Sequence, residues 1–170
     1  MRRRRVLLDR RLRERMTGTM DKRLKILFLC TGNSCRSQMA EGWARHLRGG
    51  DIEAVSAGTE VHGLNPYAVK VMAEAGVDIS GARSKNVREF LDREFDFVIT
   101  VCDNARETCP FFPGAGRTVH AGFDDPPALA ADVESEEEKL AIYRRVRDEI
   151  RSFVEGIPGN LEKEQRHDSR

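Results

Sequence analysis

The chain alternates short apolar runs with longer amphipathic stretches. Residues 24–30, LKILFLC, are almost continuously apolar and end at a polar turn, which predicts a strand buried on both faces. QMAEGWARHLR, residues 38–48, predicts a helix closed by Gly49 and Gly50. EAVSAGT at 53–59 reads as a second strand, weakened by its small residues. Asn65 and Pro66 have the chemistry of a helix cap and a first helical residue, opening YAVKVMAEAG, which Gly76 closes.

NVREFLDRE, residues 86–94, predicts a short helix, and FDFVITV at 95–101 is the clearest strand after the first, with Cys102 at its C-terminal end. RTVHAGF at 117–123 predicts a fourth strand that stops just before DDPP. Ser135 and Glu138 fit a capping box in front of a long helix, in which Leu140, Tyr143, Val146, Ile150 and Phe153 recur every three to four residues. Strands alternating with helices imply an α/β fold, here a single domain with a four-stranded parallel sheet and helices on both faces. Ligands of such sheets bind at the carboxyl ends of the strands. Cys30, Cys102 and the Asp124–Asp125 pair each directly follow a predicted strand, so the topology predicts one shared rim for them.

At 170 residues the chain has room for one sizeable core. It holds 39% hydrophobic and 34% charged residues, and no apolar run approaches the roughly 18 residues of a membrane span. The net charge of +1 is unevenly spread: eight arginines against Asp9 and Glu14 give residues 1–20 a local +6, which leaves −5 for the rest. The folded part thus lacks the positive surplus that grips a phosphate backbone, and neither nucleic acid nor a membrane is an expected partner. Residues 1–20 are expected to be a disordered basic leader or a misassigned start, given Met16 and Met20; 21–157 make the domain and 158–170 a polar tail. Val6, Leu7 and Leu8 are too few for the core of a secretory signal, so a cytoplasmic location and a monomer are expected. In a reducing compartment, Cys30, Cys35, Cys102 and Cys109 point to catalysis, redox or metal binding rather than to a disulfide framework.

The first loop carries the most chemistry. Between a strand and a helix N-terminus, the residues Thr31, Gly32, Asn33, Ser34, Cys35 and Arg36 bring backbone N–H groups and the positive end of the helix dipole to one spot, which suits an oxyanion. Arg36 adds a guanidinium fork able to hold a tetrahedral oxyanion through two parallel bonds. The same field favours a thiolate at Cys30. Ser37 is positioned to donate to that sulfur or to cap the helix, and Asn33 to adopt a left-handed backbone. Cys35 is expected to pack, and Trp43 to be core. No run fits a Walker phosphate loop. The histidines are scattered and the C-x6-C spacing of Cys102 and Cys109 is wide for zinc, so no metal is expected.

CTGNSCRSQMAEGWARHL resembles the signature of thioredoxin-coupled arsenate reductases, built on the low-molecular-weight protein tyrosine phosphatase fold, and the likeness runs through SAGTEVHGLNP, VITVCDNARETCP and GFDDPP to YRRVRDEI. The resemblance implies reduction of arsenate by three thiols. Cys30 attacks the oxyanion while Asp125 protonates the departing oxygen. A Cys30–Cys102 disulfide follows, then a Cys102–Cys109 disulfide, which thioredoxin reduces as an external partner without any bound cofactor. A tyrosine phosphatase is the first alternative, since it shares Cys-x5-Arg-Ser and the Asp-Pro acid; Gln38, where such enzymes usually have proline, and the Cys102 and Cys109 pair speak against it. A non-enzymatic redox or oxyanion sensor is the second. The chain departs from the family in two places. Some relatives bind potassium through residues matching Asn33, Glu41 and Ser56 plus an aspartate, whose position holds Lys85 here, so no potassium stimulation is expected. The acid motif carries Pro127 where a small residue or tyrosine is usual.

Overall fold

The computed structural model describes residues 23–101 and 112–163. Cys102 and Cys109, the leader and residues 164–170 lie outside the described residues. In chain order the elements are β1 (Leu24–Cys30), α1 (Arg36–Arg48), β2 (Ile52–Gly58), α2 (Pro66–Glu74), a 3-10 turn (Val87–Phe90), β3 (Phe95–Thr100), β4 (Ala115–His120), α3 (Pro126–Ala130), α4 (Glu136–Glu155) and α5 (Gly159–Lys163).

The four strands form one sheet in the order β2-β1-β3-β4, and every neighbouring pair is parallel. β1 is central, which explains its unbroken apolar run: Ile26, Leu27, Phe28 and Leu29 are fully buried, each contributing about 1.5–3 kcal/mol of burial. Side chains alternate across the sheet. Ile26 and Phe28 face the core built by α1, α2, α3, α4 and α5. Leu27 and Leu29 face a smaller cluster in which Val87 and Phe90 of the 3-10 turn meet Phe95, Val98 and Phe112. The chain runs from β1 outward to β2 and returns on the other side to β3, so strand order reverses at β1. A crevice at the carboxyl end of β1 follows from that reversal, and Cys30 stands in it.

Local chemistry accounts for most element ends. The Asn65 side chain accepts from the N–H groups of Tyr67 and Ala68, and Pro66 occupies the first helical position of α2. Gly76, at φ +85°, takes the left-handed conformation that ends the same helix. Asn86 and Glu89 form a reciprocal capping box on the 3-10 turn. Ser135 Oγ accepts from the Glu138 N–H at 3.3 Å to start α4.

Four differences from the sequence expectations have physical causes. β4 spans 115–120 rather than 117–123, because Phe95 pairs with Ala115 at one end, while past His120 the chain leaves the ladder and only the N–H groups of Ala121 and Phe123 still bond β3 and Val101. In α4 the buried stripe is completed by Val154, and Phe153 packs edge-on against Phe123 with ring centroids 5.7 Å apart. Pro126–Ala130, between the acid motif and α4, forms the short α3. Residues 159–163, expected within a polar tail, form α5, where Leu161 is fully buried beside Ile157. Those two apolar residues, four apart, give the segment a face to bury.

Candidate functional site

Residues 30–35 join β1 to α1, and the loop is held from outside by its own carbonyls. Those of Cys30, Thr31, Gly32 and Ser34 accept from the N–H groups of Thr59, Glu60, His62 and Asn65 at 3.2, 2.8, 3.0 and 2.9 Å. That of Asn33 accepts from Gln38 Nε2 at 3.2 Å and Ser84 Oγ at 2.8 Å. A planar peptide sets its N–H opposite its C=O, so turning these carbonyls outward turns the following N–H groups inward. One of them, on Asn33, reaches Cys30 Sγ at 3.2 Å. Gly58 permits the close approach of the bracing strand, since a Cβ there would meet the Thr31 and Glu60 carbonyl oxygens.

Asn33 organises the loop. Its φ of 48° is left-handed, a conformation asparagine tolerates. Its fully buried amide is saturated: Nδ2 donates to Ser37 Oγ at 2.9 Å and Ser56 Oγ at 3.0 Å, and Oδ1 accepts from Gln38 Nε2 and the Lys85 N–H, each at 2.9 Å. Ser37 Oγ, which accepts from Asn33, lies 2.7 Å from Cys30 Sγ, and once that sulfur is a thiolate the hydroxyl is the donor of the pair. The Asn33 N–H donates to this sulfur and the Ser37 hydroxyl is placed to do so, an arrangement that favours the thiolate. The position before α1 belongs to Cys35, which makes no capping bond, and Ser37 stands inside the helix in contact with the sulfur.

Arg36 is the first residue of α1. Its Nη1 donates to the Phe123 carbonyl at 2.9 Å, and its Nη2 lies 3.4 Å from Asp125 Oδ1. Asp125 occupies the cap position of α3 without capping it, leaving the carboxylate for Arg36. Asp124 points the other way, to Arg145 Nη2 at 3.0 Å, which orients the acid segment. Cys35 is buried among core side chains, and burial pushes its thiol up despite the nearby Arg36 guanidinium. The two cysteines of the loop are therefore unlike: one sulfur is hydrogen-bonded to Asn33 and Ser37, and the other is a packed, protonated thiol.

Lys85 occupies the neighbourhood of Glu41 and Ser56. Its Nζ donates to the Arg83 carbonyl at 3.0 Å and lies 3.8 Å from Glu41 Oε1, which also accepts from the Ser56 N–H at 2.9 Å. Burial lowers the Lys85 pKa, with Glu41 opposing the shift. The oxygens that would serve a monovalent cation therefore already face an ammonium, and the residues present do not fit potassium. Among the described residues no cluster of three His, Cys, Asp or Glu side chains assembles that could hold a metal ion, and no helix is long and apolar enough to cross a membrane.

The fold thus brings Cys30, Thr31, Gly32, Asn33, Ser34, Cys35, Arg36 and Ser37 into one cradle and sets Asp125 against its arginine. The sequence profile of the low molecular weight phosphotyrosine protein phosphatases matches residues 25–167. Arsenate reductase of Halalkalibacterium halodurans is 50% identical over 131 residues, covering 77% of this chain and 91% of that protein. The chain belongs to this phosphatase family, and within it to the arsenate reductases. A solved arsenate reductase in its oxidized state superposes with a TM-score of 0.66 at 32% identity, covering 81% of this chain and 98% of that one. The thioredoxin-dependent arsenate reductase of Corynebacterium glutamicum does so with a TM-score of 0.56 at 26% identity, covering 88% of this chain and 69% of that one.

Three contributors to this site were not foreseen in the sequence as supports of the loop. Gln38 and Ser84 hold the Asn33 carbonyl, and the Phe123 carbonyl holds Arg36. Gln38 is a polar residue that α1 buries completely, which only the packing of the helix reveals.

Proposed function

We propose that this enzyme reduces arsenate to arsenite in the cytosol, as a monomer, by a relay of Cys30, Cys102 and Cys109 that thioredoxin resets. The observation that carries the reading is the Cys30 sulfur, bonded by the Asn33 N–H and in contact with Ser37, in a loop whose last residue before α1 is followed by an arginine paired to a carboxylate. The loop suits a tetrahedral oxyanion, because inward N–H groups and a guanidinium stabilise its charge. Cys30 thiolate attacks arsenic, and one arsenate oxygen departs with the proton of Asp125. The thiolate of Cys102 then attacks Cys30 Sγ; the sulfur–arsenic bond breaks with its electron pair on arsenic, which leaves as arsenite. Cys109 attacks Cys102 and frees Cys30, and the dithiol of thioredoxin reduces the resulting disulfide.

The family relationship supports the oxyanion chemistry, and the thioredoxin dependence of the Corynebacterium relative supports the choice of reductant. Mass spectrometry of protein quenched after a single arsenate turnover tests the relay. A Cys102–Cys109 disulfide is expected. Arsenite formed with both thiols unlinked refutes the three-thiol route. With thioredoxin, its reductase and NADPH, arsenate is expected to drive NADPH oxidation, and none would refute the activity itself. A Cys102→Ser/Cys109→Ser variant is expected to lose reduction while keeping weak hydrolysis of aryl phosphates, for which Cys30, Arg36 and Asp125 suffice.

A further inference from the structure

The anion loop is braced from β2 and from the segment before the 3-10 turn, but it also has a tie to α4. The Asn65 N–H donates to the Ser34 carbonyl at 2.9 Å, at the end of the loop next to Cys35 and Arg36. The Asn65 side chain is divided: Oδ1 caps α2 through the N–H groups of Tyr67 and Ala68, and Nδ2 donates to the Tyr143 hydroxyl at 3.1 Å. Tyr143 belongs to the buried stripe of α4, where its ring is stacked on Tyr67 with centroids 5.1 Å apart. Tyr67 is itself tied to the start of α4 by a hydroxyl bond to Glu136 Oε2 at 2.9 Å. Burial pushes the Tyr143 phenol up to about 12, so it stays neutral and remains an acceptor for Asn65.

We propose that Tyr143 is a positioning residue for oxyanion binding: through Asn65 it fixes the Ser34 peptide, and with it the inward N–H that follows. A helix position whose hydrophobic spacing asks only for an apolar ring carries a hydroxyl, and that hydroxyl meets the side chain of the residue whose Oδ1 caps α2 and whose backbone N–H holds the loop at Ser34. Phenylalanine would fill the same space and keep the stacking on Tyr67, but it would leave Asn65 Nδ2 without its acceptor and the amide free to rotate away from the cap. The Ser34 peptide would then lose the rigid support that catalytic hydrogen-bond donors require, since donors displaced by a fraction of an ångström bind an oxyanion less well.

This inference rests on the oxyanion reading of the loop, and its test is separate from arsenate turnover. Inorganic phosphate is titrated calorimetrically into the full chain and into its Tyr143→Phe variant. Phosphate affinity is expected to fall by about three- to tenfold, as for the loss of one supporting hydrogen bond, and in arsenate assays the loss falls on KM rather than on kcat. In an Asn65→Ala background, Tyr143→Phe is expected to have no further effect, because the tie is already cut. Unchanged phosphate affinity overturns the proposal, as does a lower melting temperature with affinity intact, or additive losses in the double variant. If wild type binds phosphate but turns over no arsenate, the reductase reading fails while the positioning role stands or falls on the binding data alone.

Discussion

The Ser37 hydroxyl stands 2.7 Å from the Cys30 sulfur and receives its own hydrogen bond from Asn33. A thiolate has no proton to give, so toward the ionised Cys30 the hydroxyl acts as donor, and that bond stabilises negative charge on sulfur. Ser37→Ala removes it. The Cys30 thiol should become less acidic, so that reactivity sets in at higher pH and the rate at neutral pH falls, by about tenfold if the onset moves by about one pH unit. Alkylation of Cys30 by iodoacetamide as a function of pH, in a Cys102→Ser/Cys109→Ser background, reads the change. An unmoved profile would remove Ser37 from the mechanism.

Arg36 and Asp125 pair at 3.4 Å, so this carboxylate and an incoming anion compete for one guanidinium. Asp125→Asn should lower kcat by about 10²–10⁴ through loss of the proton donor, whereas phosphate affinity should hold or improve because a competing charge is gone. Arg36→Lys keeps the charge but loses the fork, and it should weaken phosphate binding sharply. Opposite effects of these two substitutions on phosphate affinity, measured by calorimetry, are the expected signature.

Cys35 is expected to be inert in the native state. Burial raises its pKa, so the folded protein retains a proton that the unfolded chain gives up near about 8.5. The corresponding stability is complete below that pH and is lost progressively as pH rises above it. Cys35→Ala should therefore flatten the decline of melting temperature between about pH 8 and 10, and Cys35 should resist alkylation at pH 8 in the folded wild type. An equally steep decline in the variant would place the lost protons elsewhere.

Lys85 sits 3.8 Å from the Glu41 carboxylate, with its ammonium where a monovalent cation would need only oxygens. Exchanging potassium for sodium chloride at equal ionic strength should leave both the turnover rate and the melting temperature of the wild type unchanged. Lys85→Asp should make at least one of them potassium-dependent, because it restores an anionic ligand beside Glu41, Ser56 and Asn33. A variant indifferent to potassium would show that the surrounding oxygens do not form a cation site.

The sheet and the cradle were legible in the sequence for different reasons. Phe28 and its neighbours predict a central strand because a strand covered on both faces has no polar positions, and Cys-x5-Arg-Ser after such a strand defines the loop because the nucleophile, the amides and the guanidinium lie within eight consecutive residues. Asn65–Pro66 and Ser135 mark helix starts through bonds to residues two or three positions away. Short-range chemistry of this kind is fully encoded in local spacing.

Periodicity alone could not say that Asn33 would be met by Ser56 from β2 and Lys85 from the segment before the 3-10 turn, or that Tyr143 would be met by Asn65 across 78 positions. A polar residue in a helical or strand pattern shows only that it is polar; its partner is chosen by which elements pack together. By itself the sequence determined the parallel α/β fold, the Cys30 loop and the family. The tertiary structure decided what holds that loop in shape and that Asp125 faces Arg36, because these contacts join residues that only the packing of strands and helices brings within hydrogen-bonding distance.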